Sequence, residues 1–405
     1  MDRATEIGIL KRLLEYVDTQ TTALAPQPWE NAVDTYTCPM RLDREGRLLF
    51  REHPQVMGLS CDWPQPGAYR TDDLAGVPVL AVRGQDGQLR AFLNVCRHRG
   101  AKVASGAGTT NVFSCPYHAW TYNLDGRIRG IPDEKAFPGV RKQRTGLTEL
   151  PLAEKYGMVW VLPTPAADGS PALDIDPWLD GLGGDLAALK LESYHFFDRR
   201  LVPETMNWKI LVDTFHEDYH IGFLHRDSLT PILHGNIADF EPFGLNHRLI
   251  FPRKKLERLR SQPEETWDLM WNTGIVYCLF PNTLLVAQGD HVEINRIFPT
   301  EGRVDRAVME SSLYVPKPVT SDEERRHWNA NMDLLMKIVA TEDFPAGRSM
   351  QIGFGSKAQT HTVYGRNEPA MIHYHRSLRK ALGLDPASDE PSGAGRSKPT
   401  LDRVS

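Results

Sequence analysis

Cys96-Arg97-His98 and Cys115-Pro116-Tyr117-His118 are the two short stretches from which the fold of this chain is predicted. They read C-x-H and C-x-x-H, and sixteen residues separate them. Each stretch supplies one thiolate and one imidazole. Two cysteines and two histidines from paired loops suit a [2Fe–2S] centre in which the cysteines bind one iron and the histidines bind the other. The spacing therefore predicts one-electron chemistry.

A structural zinc ion is the alternative ligand for the same four residues. Zinc-finger spacing groups the two cysteines together and the two histidines together, whereas each loop here carries one of each. The flanks also indicate paired loops, since Gly100 allows a close backbone approach and Pro116 stiffens the second loop. Residues 119–122 then predict a strand that enters a hairpin turn at Asp125-Gly126. This arrangement resembles the Rieske domain.

A second concentration of metal-binding side chains lies between Asn207 and His225, in an otherwise apolar segment predicted to be helical. His220 and His225 are five residues apart, which is awkward on a continuous helix, but Gly222 lets the helix unwind between them. Two histidines and one carboxylate form the facial triad of non-haem Fe(II) oxygenases, which leaves positions open for O₂ and substrate. Asp343 is the candidate third ligand, and an ordinary surface charge is its other interpretation.

The same segment also matches a zinc-protease pattern. His216-Glu217-Asp218-Tyr219-His220 fits H-E-x-x-H, in which two histidines one turn apart bind zinc and the glutamate acts as a base. Nothing downstream resembles the extended signatures of zinc proteases, and a protease has no use for an iron–sulfur cluster. A zinc hydrolase stays an alternative at this point.

With both sites considered, the chain resembles the catalytic α subunit of Rieske non-haem iron ring-hydroxylating oxygenases. The resemblance covers almost the whole length, through C-x-H-R-G and C-P-x-H-x-W, then N-W-K…D-T-F-x-E-x-Y-H-x-x-x-x-H, then E-D…Q-x-G. It implies a [2Fe–2S] cluster bound by Cys96, His98, Cys115 and His118. It also implies a mononuclear Fe(II) bound by His220, His225 and Asp343. The implied fold class is α+β, with an all-β Rieske domain and a helix-grip (START-like) catalytic domain built on an antiparallel sheet.

Apolar periodicity divides the chain into four parts. Residues 5–22 carry a helical apolar stripe, and residues 1–44 are expected to form an N-terminal helical part of the catalytic domain. Short alternating runs with glycine turns predict the Rieske domain over residues 45–165. Mixed strands and helices predict the mononuclear iron domain over residues 166–386, and the Ser/Pro/Gly/Lys-rich residues 387–405 are expected to be a disordered tail.

The resemblance also implies roles for two acidic residues. Family members carry an acid three positions before the first iron histidine, and Glu217 occupies that position here. In the family this acid links a cluster histidine of one subunit to the iron histidine of its neighbour, so His118 of one chain would pair with Glu217 of the next. A homotrimer closed by head-to-tail contacts is implied. Asp213, Phe215 and His216 are expected near the iron. Glu217 and Asp213 are the predicted catalytic residues.

Length, charge and missing motifs predict the partners and the location. A net charge of −5 over 405 residues argues against nucleic acid, which needs clustered Lys and Arg. The N-terminus lacks a signal-peptide pattern, and no stretch approaches the roughly 18 apolar residues of a membrane span, so a cytoplasmic protein without membrane contact is expected. No G-x-G-x-x-G fingerprint follows a strand. A separate flavin-dependent reductase, with a ferredoxin as a further candidate, is therefore expected to supply electrons.

Three functions are consistent with these patterns. The first is O₂-dependent hydroxylation, by mono- or dioxygenation, of a small aromatic or related organic substrate. The second is a monooxygenase or N-demethylase for quaternary ammonium compounds, which the glutamate at position 217 favours and which an aromatic cage would support. A largely aliphatic pocket would count against it. The third is an electron carrier in which only the Rieske centre works.

Overall fold

The computed structural model describes residues 1–73, 75–140 and 145–385. The predicted tail, residues 387–405, lies outside the described residues. The helices of the described residues are α1 (Arg3–Thr19), α2 (Asp34–Thr37), α3 (Pro39–Leu48), α4 (Asp176–Leu179), α5 (Gly183–Ala188), α6 (Trp208–Asp213), α7 (Ile221–Leu224), α8 (Leu269–Asn272), α9 (Asp322–Met336), α10 (Phe344–Gly355) and α11 (Pro369–Ala381). Short 3₁₀ turns lie at Ser60–Asp62, Glu134–Ala136, Leu191–Ser193, Lys254–Ser261 and Glu264–Thr266. None of the described helices is long and apolar enough to cross a bilayer.

The strands fall into two regions of the chain. The first set is β1 (Trp29–Ala32), β2 (Gln55–Leu59), β3 (Ala68–Asp72), β4 (Val79–Arg83), β5 (Leu89–Leu93), β6 (Ala107–Thr109), β7 (Phe113–Ser114), β8 (Thr121–Tyr122), β9 (Ile128–Gly130), β10 (Glu149–Leu150), β11 (Leu152–Lys155) and β12 (Met158–Val161). The second set is β13 (His195–Glu204), β14 (Asp239–Phe243), β15 (Asn246–Pro252), β16 (Thr273–Leu279), β17 (Thr283–Ala287), β18 (Val292–Pro299), β19 (Ala307–Val315) and β20 (His361–Tyr364). Together with the helices they confirm the predicted α+β class.

The first region forms a module of small antiparallel sheets. One sheet has the order β10-β5-β4-β3-β6, a second has β11-β12-β2, and a third has β7-β8-β9. In the third sheet Phe113 pairs with Tyr122, so this hairpin carries the second predicted cluster loop between its first two strands. The first loop directly follows β5. Two separate hairpins thus present the two cysteine–histidine loops, as the sequence predicts.

The second region is built on one large antiparallel sheet in the order β13-β19-β18-β17-β16-β15-β14. Side chains alternate between its faces, as strand geometry requires. Ile275 and Tyr277 pack on one face in a buried cluster shared with α1, while Val276 and Cys278 pack on the other in a cluster shared with α6, α9 and α11. Helices therefore cover both faces of the central strands.

Helix α1 confirms the predicted N-terminal helix, with slightly different ends. The sequence predicts residues 5–22, and the helix spans Arg3–Thr19. It begins where the Asp2 carboxylate accepts a hydrogen bond from the backbone N–H of Thr5, and it ends at Gln20 in the left-handed region. The buried members of its apolar stripe are Ile9, Leu10, Leu13, Leu14 and Val17.

A buried ionic network joins the Rieske module to the large sheet. Arg70, on β3, donates two hydrogen bonds to the Glu310 carboxylate on β19, at 2.7 and 2.9 Å. Arg296, on β18, donates to the same carboxylate at 3.0 Å, to Asp72 at 2.5 Å and to the carbonyl of Val56 at 2.8 Å. Each of the four charged side chains is less than 10% exposed. The junction between the modules is therefore held by fixed, desolvated charges.

Replacing Glu310 with glutamine tests this junction. Two buried arginines then lose their shared counter-charge, and we expect the free energy of unfolding to fall by about 3–5 kcal/mol in denaturant titrations. Burial alone would raise the pKa of Glu310, but Arg296 and Arg70 lower it from 4.5 to about 2. Because this folded-state pKa is depressed, the contribution is complete above about pH 4.5 and is lost as the pH falls towards 2.

The matched control is Asp305→Asn, which breaks the exposed pair between Arg303 and Asp305. Exposed pairs contribute about 0–1 kcal/mol, so this variant should unfold almost like the parent protein. Equal losses in the two variants would contradict the stabilising role of the network.

Candidate metal centres

The two cluster loops place their cysteines inside and their histidines towards the surface. Cys96 and Cys115 are each 3% exposed, whereas His118 lies at the surface. The His98 and His118 rings have centroids 4.7 Å apart. The ring of His98 also stacks on Trp120 at 5.1 Å, which fixes its plane. The two histidine rings therefore lie beside each other, and the two cysteines lie in one buried cluster of the module.

Polar contacts around these loops fit an iron–sulfur group. The Tyr122 hydroxyl accepts a hydrogen bond from the backbone N–H of Arg97 at 2.9 Å, which directs its own proton towards the Cys96 sulfur, 3.2 Å away. Hydrogen bonds to cluster sulfurs tune the reduction potential of such centres. Nδ1 of His98 is buried and has no hydrogen-bond partner among the described residues. Thiolates on one iron and imidazoles on the other would satisfy this donor set.

The second site lies where the chain breaks between two short helices. The sequence predicts one helix over residues 207–225 that unwinds at Gly222, and this prediction is wrong. Helix α6 ends at Asp213, and α7 spans only Ile221–Leu224, with Gly222 inside it. His220 and His225 flank α7 at its two ends. The turn has only four residues and leaves helical geometry at His225, and this lets both imidazoles point to one place.

Three donor atoms converge there. Nε2 of His220 and Nε2 of His225 are 3.1 Å apart. Oδ1 of Asp343 lies 3.0 Å from Nε2 of His225 and 3.6 Å from Nε2 of His220. His225 and Asp343 are 1% and 6% exposed. This set of two imidazoles and one carboxylate fits a mononuclear Fe(II), and the three residues would hold it on one side.

Two glutamates hold the outer nitrogens of these imidazoles. Nδ1 of His220 contacts the Glu217 carboxylate, which also accepts the backbone N–H of His220 at 3.0 Å. Nδ1 of His225 lies 2.6 Å from Oε2 of Glu342, and Ser228 donates to the same oxygen at 2.5 Å. A carboxylate at Nδ1 keeps the proton on that nitrogen and leaves the Nε2 lone pair for a metal.

Glu342 is a site residue that the sequence analysis missed. It directly precedes Asp343 at the end of a π-helical segment, Lys337–Asp343, that continues α9 into α10. π-Helical turns inside longer helices are frequent at functional sites. In the sequence, the hint was that Glu342 and Asp343 are adjacent acids. The structure shows that the π-helical turn brings both carboxylates to the ring of His225.

A cavity of about 370 Å³ opens beside the three converging residues. Its wall is mainly apolar, although charged and polar side chains also line it. The aliphatic side chains are Ile221, Leu229, Ile232, Leu233, Val276, Val286, Leu334, Leu335, Ile338 and Val339. Phe215, Phe251 and Trp271 add three aromatic rings, and Trp271 is half-exposed. Such a wall excludes water from the site.

Two residues expected near the iron are placed elsewhere. Asp213 accepts hydrogen bonds from the Tyr36 hydroxyl at 2.6 Å and from Nε2 of His375 at 2.9 Å, and it does not line the cavity. His216 is fully buried in the core, with its ring 4.6 Å from that of His247. Only Phe215 of the three expected residues reaches the cavity wall.

The placement of His216 also bears on the zinc-protease alternative. H-E-x-x-H requires His216 and His220 to share one ion, but the structure separates them. His216 groups with His247 and Cys278, whereas His220 groups with His225 and Asp343. The zinc-hydrolase interpretation is therefore not supported.

Comparison with known proteins agrees with both centres. Residues 53–150 match the Rieske [2Fe-2S] domain, and residues 191–384 match the ring hydroxylating alpha subunit (catalytic domain). The carnitine monooxygenase oxygenase subunit of Escherichia coli (strain K12) is 30% identical over 375 residues, which is 88% of this chain and 94% of that protein. The chain belongs to the family of Rieske oxygenase α subunits.

Other relatives and solved structures extend the comparison. Chloroplastic choline monooxygenase from Spinacia oleracea is 30% identical over 86% of this chain and 77% of that protein. The glycine betaine monooxygenase oxygenase subunit of Chromohalobacter salexigens is 31% identical over 215 residues, 53% of this chain, and the match spans only 46% of that protein. The chain thus spans about half the length of several curated relatives that it matches.

The solved structures show the shared fold. A quaternary ammonium Rieske monooxygenase with L-carnitine has a TM-score of 0.73 at 20% identity, over 89% of this chain and 96% of that chain. Naphthalene 1,2-dioxygenase from Rhodococcus sp. has a TM-score of 0.72 at 18% identity, over 93% and 98%. The predicted fold of this Rieske oxygenase α subunit, its [2Fe–2S] cluster and its non-haem iron are confirmed.

Substituting Glu342 with glutamine tests its hold on His225. The neutral amide makes the imidazole a weaker ligand, and loss of such outer contacts typically costs about 10- to 100-fold in metal affinity. Competition with an Fe(II) chelator measures the change. The control is Glu323→Gln, an exposed glutamate in the first turn of α9. Unchanged iron affinity in Glu342→Gln would contradict the assigned role.

Proposed function

We propose that this protein is the catalytic subunit of an O₂-dependent oxygenase that hydroxylates a small organic substrate. The observation that carries the proposal is the convergence of His220, His225 and Asp343 at the wall of an apolar cavity. When bound, the iron supplies O₂ activation and the Rieske cluster supplies single electrons. The protein's own part is to aim the ligands, exclude water and hold the substrate.

The outer contacts explain how the ligands are aimed. Glu217 and Glu342 each hold the Nδ1 proton of one imidazole, so both Nε2 lone pairs face Asp343. No rotation of either ring is then needed when the metal binds. The aliphatic wall keeps bulk water from the reacting atoms.

Two substrate classes have support from different observations. The apolar wall, in which ten aliphatic side chains outnumber three aromatic rings, favours an aromatic or related organic compound, because recognition of a quaternary ammonium group generally uses several aromatic faces arranged around the cation. The Lys255 ammonium lies 5.4 Å from the centre of the Trp271 ring, so this ring already has a cation of the chain over one face. The names of the relatives, which are carnitine, choline and glycine betaine monooxygenases, favour a quaternary ammonium compound as the second candidate.

The exposed surface around both centres supports a homotrimer. His118 and Tyr117 are exposed at the tip of the Rieske module. Beside Glu217, Tyr219 and Phe223 are 50% and 65% exposed, which is unusual for large apolar side chains at a folded active site. A neighbouring chain that covers both patches would bring its cluster to Glu217. Electrons would come from a separate flavin-dependent reductase, directly or through a ferredoxin.

His220→Ala tests the function itself. We expect about three irons and two sulfides per parent chain, and about two irons in the variant, with an unchanged visible spectrum of the cluster. Reductase-dependent O₂ uptake with aromatic and quaternary ammonium substrates should disappear. Loss of the cluster spectrum in the variant, or two irons in the parent chain, would contradict the proposal and favour an electron carrier.

Mixed oligomers test the transfer of electrons between chains. A Cys96→Ala chain keeps the iron site but loses the cluster, and a His220→Ala chain keeps the cluster but loses the iron. Each should be inactive alone, and co-expression should restore turnover. Adding Glu217→Gln to the Cys96→Ala chain should reduce that recovery by about 10- to 100-fold. Absence of any recovery in mixed oligomers would contradict transfer between chains.

A further inference from the structure

One wall of the cavity carries an arginine that forms no ion pair with any described residue. Arg253 directly follows β15 and lines the cavity together with Trp271 and Gln288. Its Nε donates to the carbonyl of Thr273 at 3.1 Å, and Nη2 donates to the side-chain oxygen of Gln288. Two fixed acceptors therefore hold the guanidinium in one orientation.

Among the described residues, no carboxylate forms an ion pair with Arg253, and Nη1 makes no hydrogen bond. Arg253 is partly buried, and this burial lowers its pKa from the usual value, while Asp290 acts in the opposite direction. A buried charge is costly unless an opposite charge and hydrogen bonds satisfy it. The unmatched edge therefore calls for an anion from outside the chain.

The other charges in this part of the wall do not supply that anion. Asp290 is the nearest acid acting on Arg253, but its carboxylate is paired with Nδ1 of His291 at 2.8 Å. Nε2 of His291 lies 3.4 Å from Glu293. Burial alone would lower the pKa of His291, but its contacts with Asp290 and Glu293 raise it to about 9. These acids are thus already engaged by a cationic imidazole.

We infer that Arg253 binds a carboxylate of the substrate, so that the substrate is a small organic acid whose remaining body lies along the aliphatic wall. The planar guanidinium fork matches a carboxylate and offers it charge-assisted hydrogen bonds. This inference rests on the proposed function, because it places the substrate in the cavity beside the iron ligands. It selects, within either substrate class, the members that carry an acid group.

The test compares matched ligands on the holoenzyme. One pair is glycine betaine and choline, which share a quaternary ammonium group, and the other is benzoate and benzyl alcohol. Dissociation constants are measured with the parent protein, Arg253→Gln and Arg253→Lys. In at least one pair, we expect the parent protein to bind the carboxylate compound about 10- to 100-fold more tightly than the compound with a hydroxyl in its place, because a hydrogen bond to a charged group contributes about 1.5–3 kcal/mol.

That preference should vanish in Arg253→Gln and return in part in Arg253→Lys, which keeps the charge and loses the fork. Arg303→Gln, at an exposed arginine paired with Asp305, should leave it unchanged. Iron content and the cluster spectrum check that each variant is folded. A preference that survives in Arg253→Gln overturns the inference, as does a parent protein that binds neither acid.

Turnover separates this inference from the proposed function. O₂ uptake without any acid preference would leave the oxygenase proposal standing and overturn the role of Arg253. An Arg253-dependent acid preference in binding, with no substrate-dependent O₂ uptake, would support the anion site and overturn the oxygenase proposal.

Discussion

The rest of the iron site depends on how His225 is held at both ring nitrogens. Consecutive acids do this, with Glu342 at Nδ1 and Asp343 at Nε2. Their side chains reach the same ring because the helix that carries them widens into a π-helical segment, Lys337–Asp343. With Glu342 holding a proton on the outer nitrogen, the inner nitrogen would be left to bind a metal together with Asp343 at the point that His220 also faces.

The position of the cluster depends on a different kind of constraint. Arg70 and Arg296 meet Glu310 in a desolvated junction, so the Rieske module is fixed to the large sheet by directional contacts and not by a flexible linker. Its cluster loops remain accessible, since His118 is exposed. The proposed transfer of electrons between chains would need a donor whose position does not drift. The rigid junction fixes the position of the cluster loops, and the exposed His118 keeps them accessible to another chain.

The sequence predicted what local patterns encode. The paired C-x-H and C-x-x-H loops, the apolar stripe of α1 and the α+β class follow from spacing and periodicity, which need no distant contact. The end of α6 at Asp213, the separation of His216 from His220 and the contact of Glu342 with His225 could not be predicted in this way. Each depends on side chains that lie far apart in the sequence.

Similarity to relatives identifies the metal centres better than it identifies the substrate. The centres need particular residue types at particular spacings, and the two family models recognise them in this chain. The cavity wall only needs to be apolar, so many substitutions are tolerated there. Selectivity must then arise where a polar group is buried at a cost, because leaving it unpaired penalises the wrong ligand. In this cavity we assign that part to Arg253, because its Nη1 makes no hydrogen bond among the described residues.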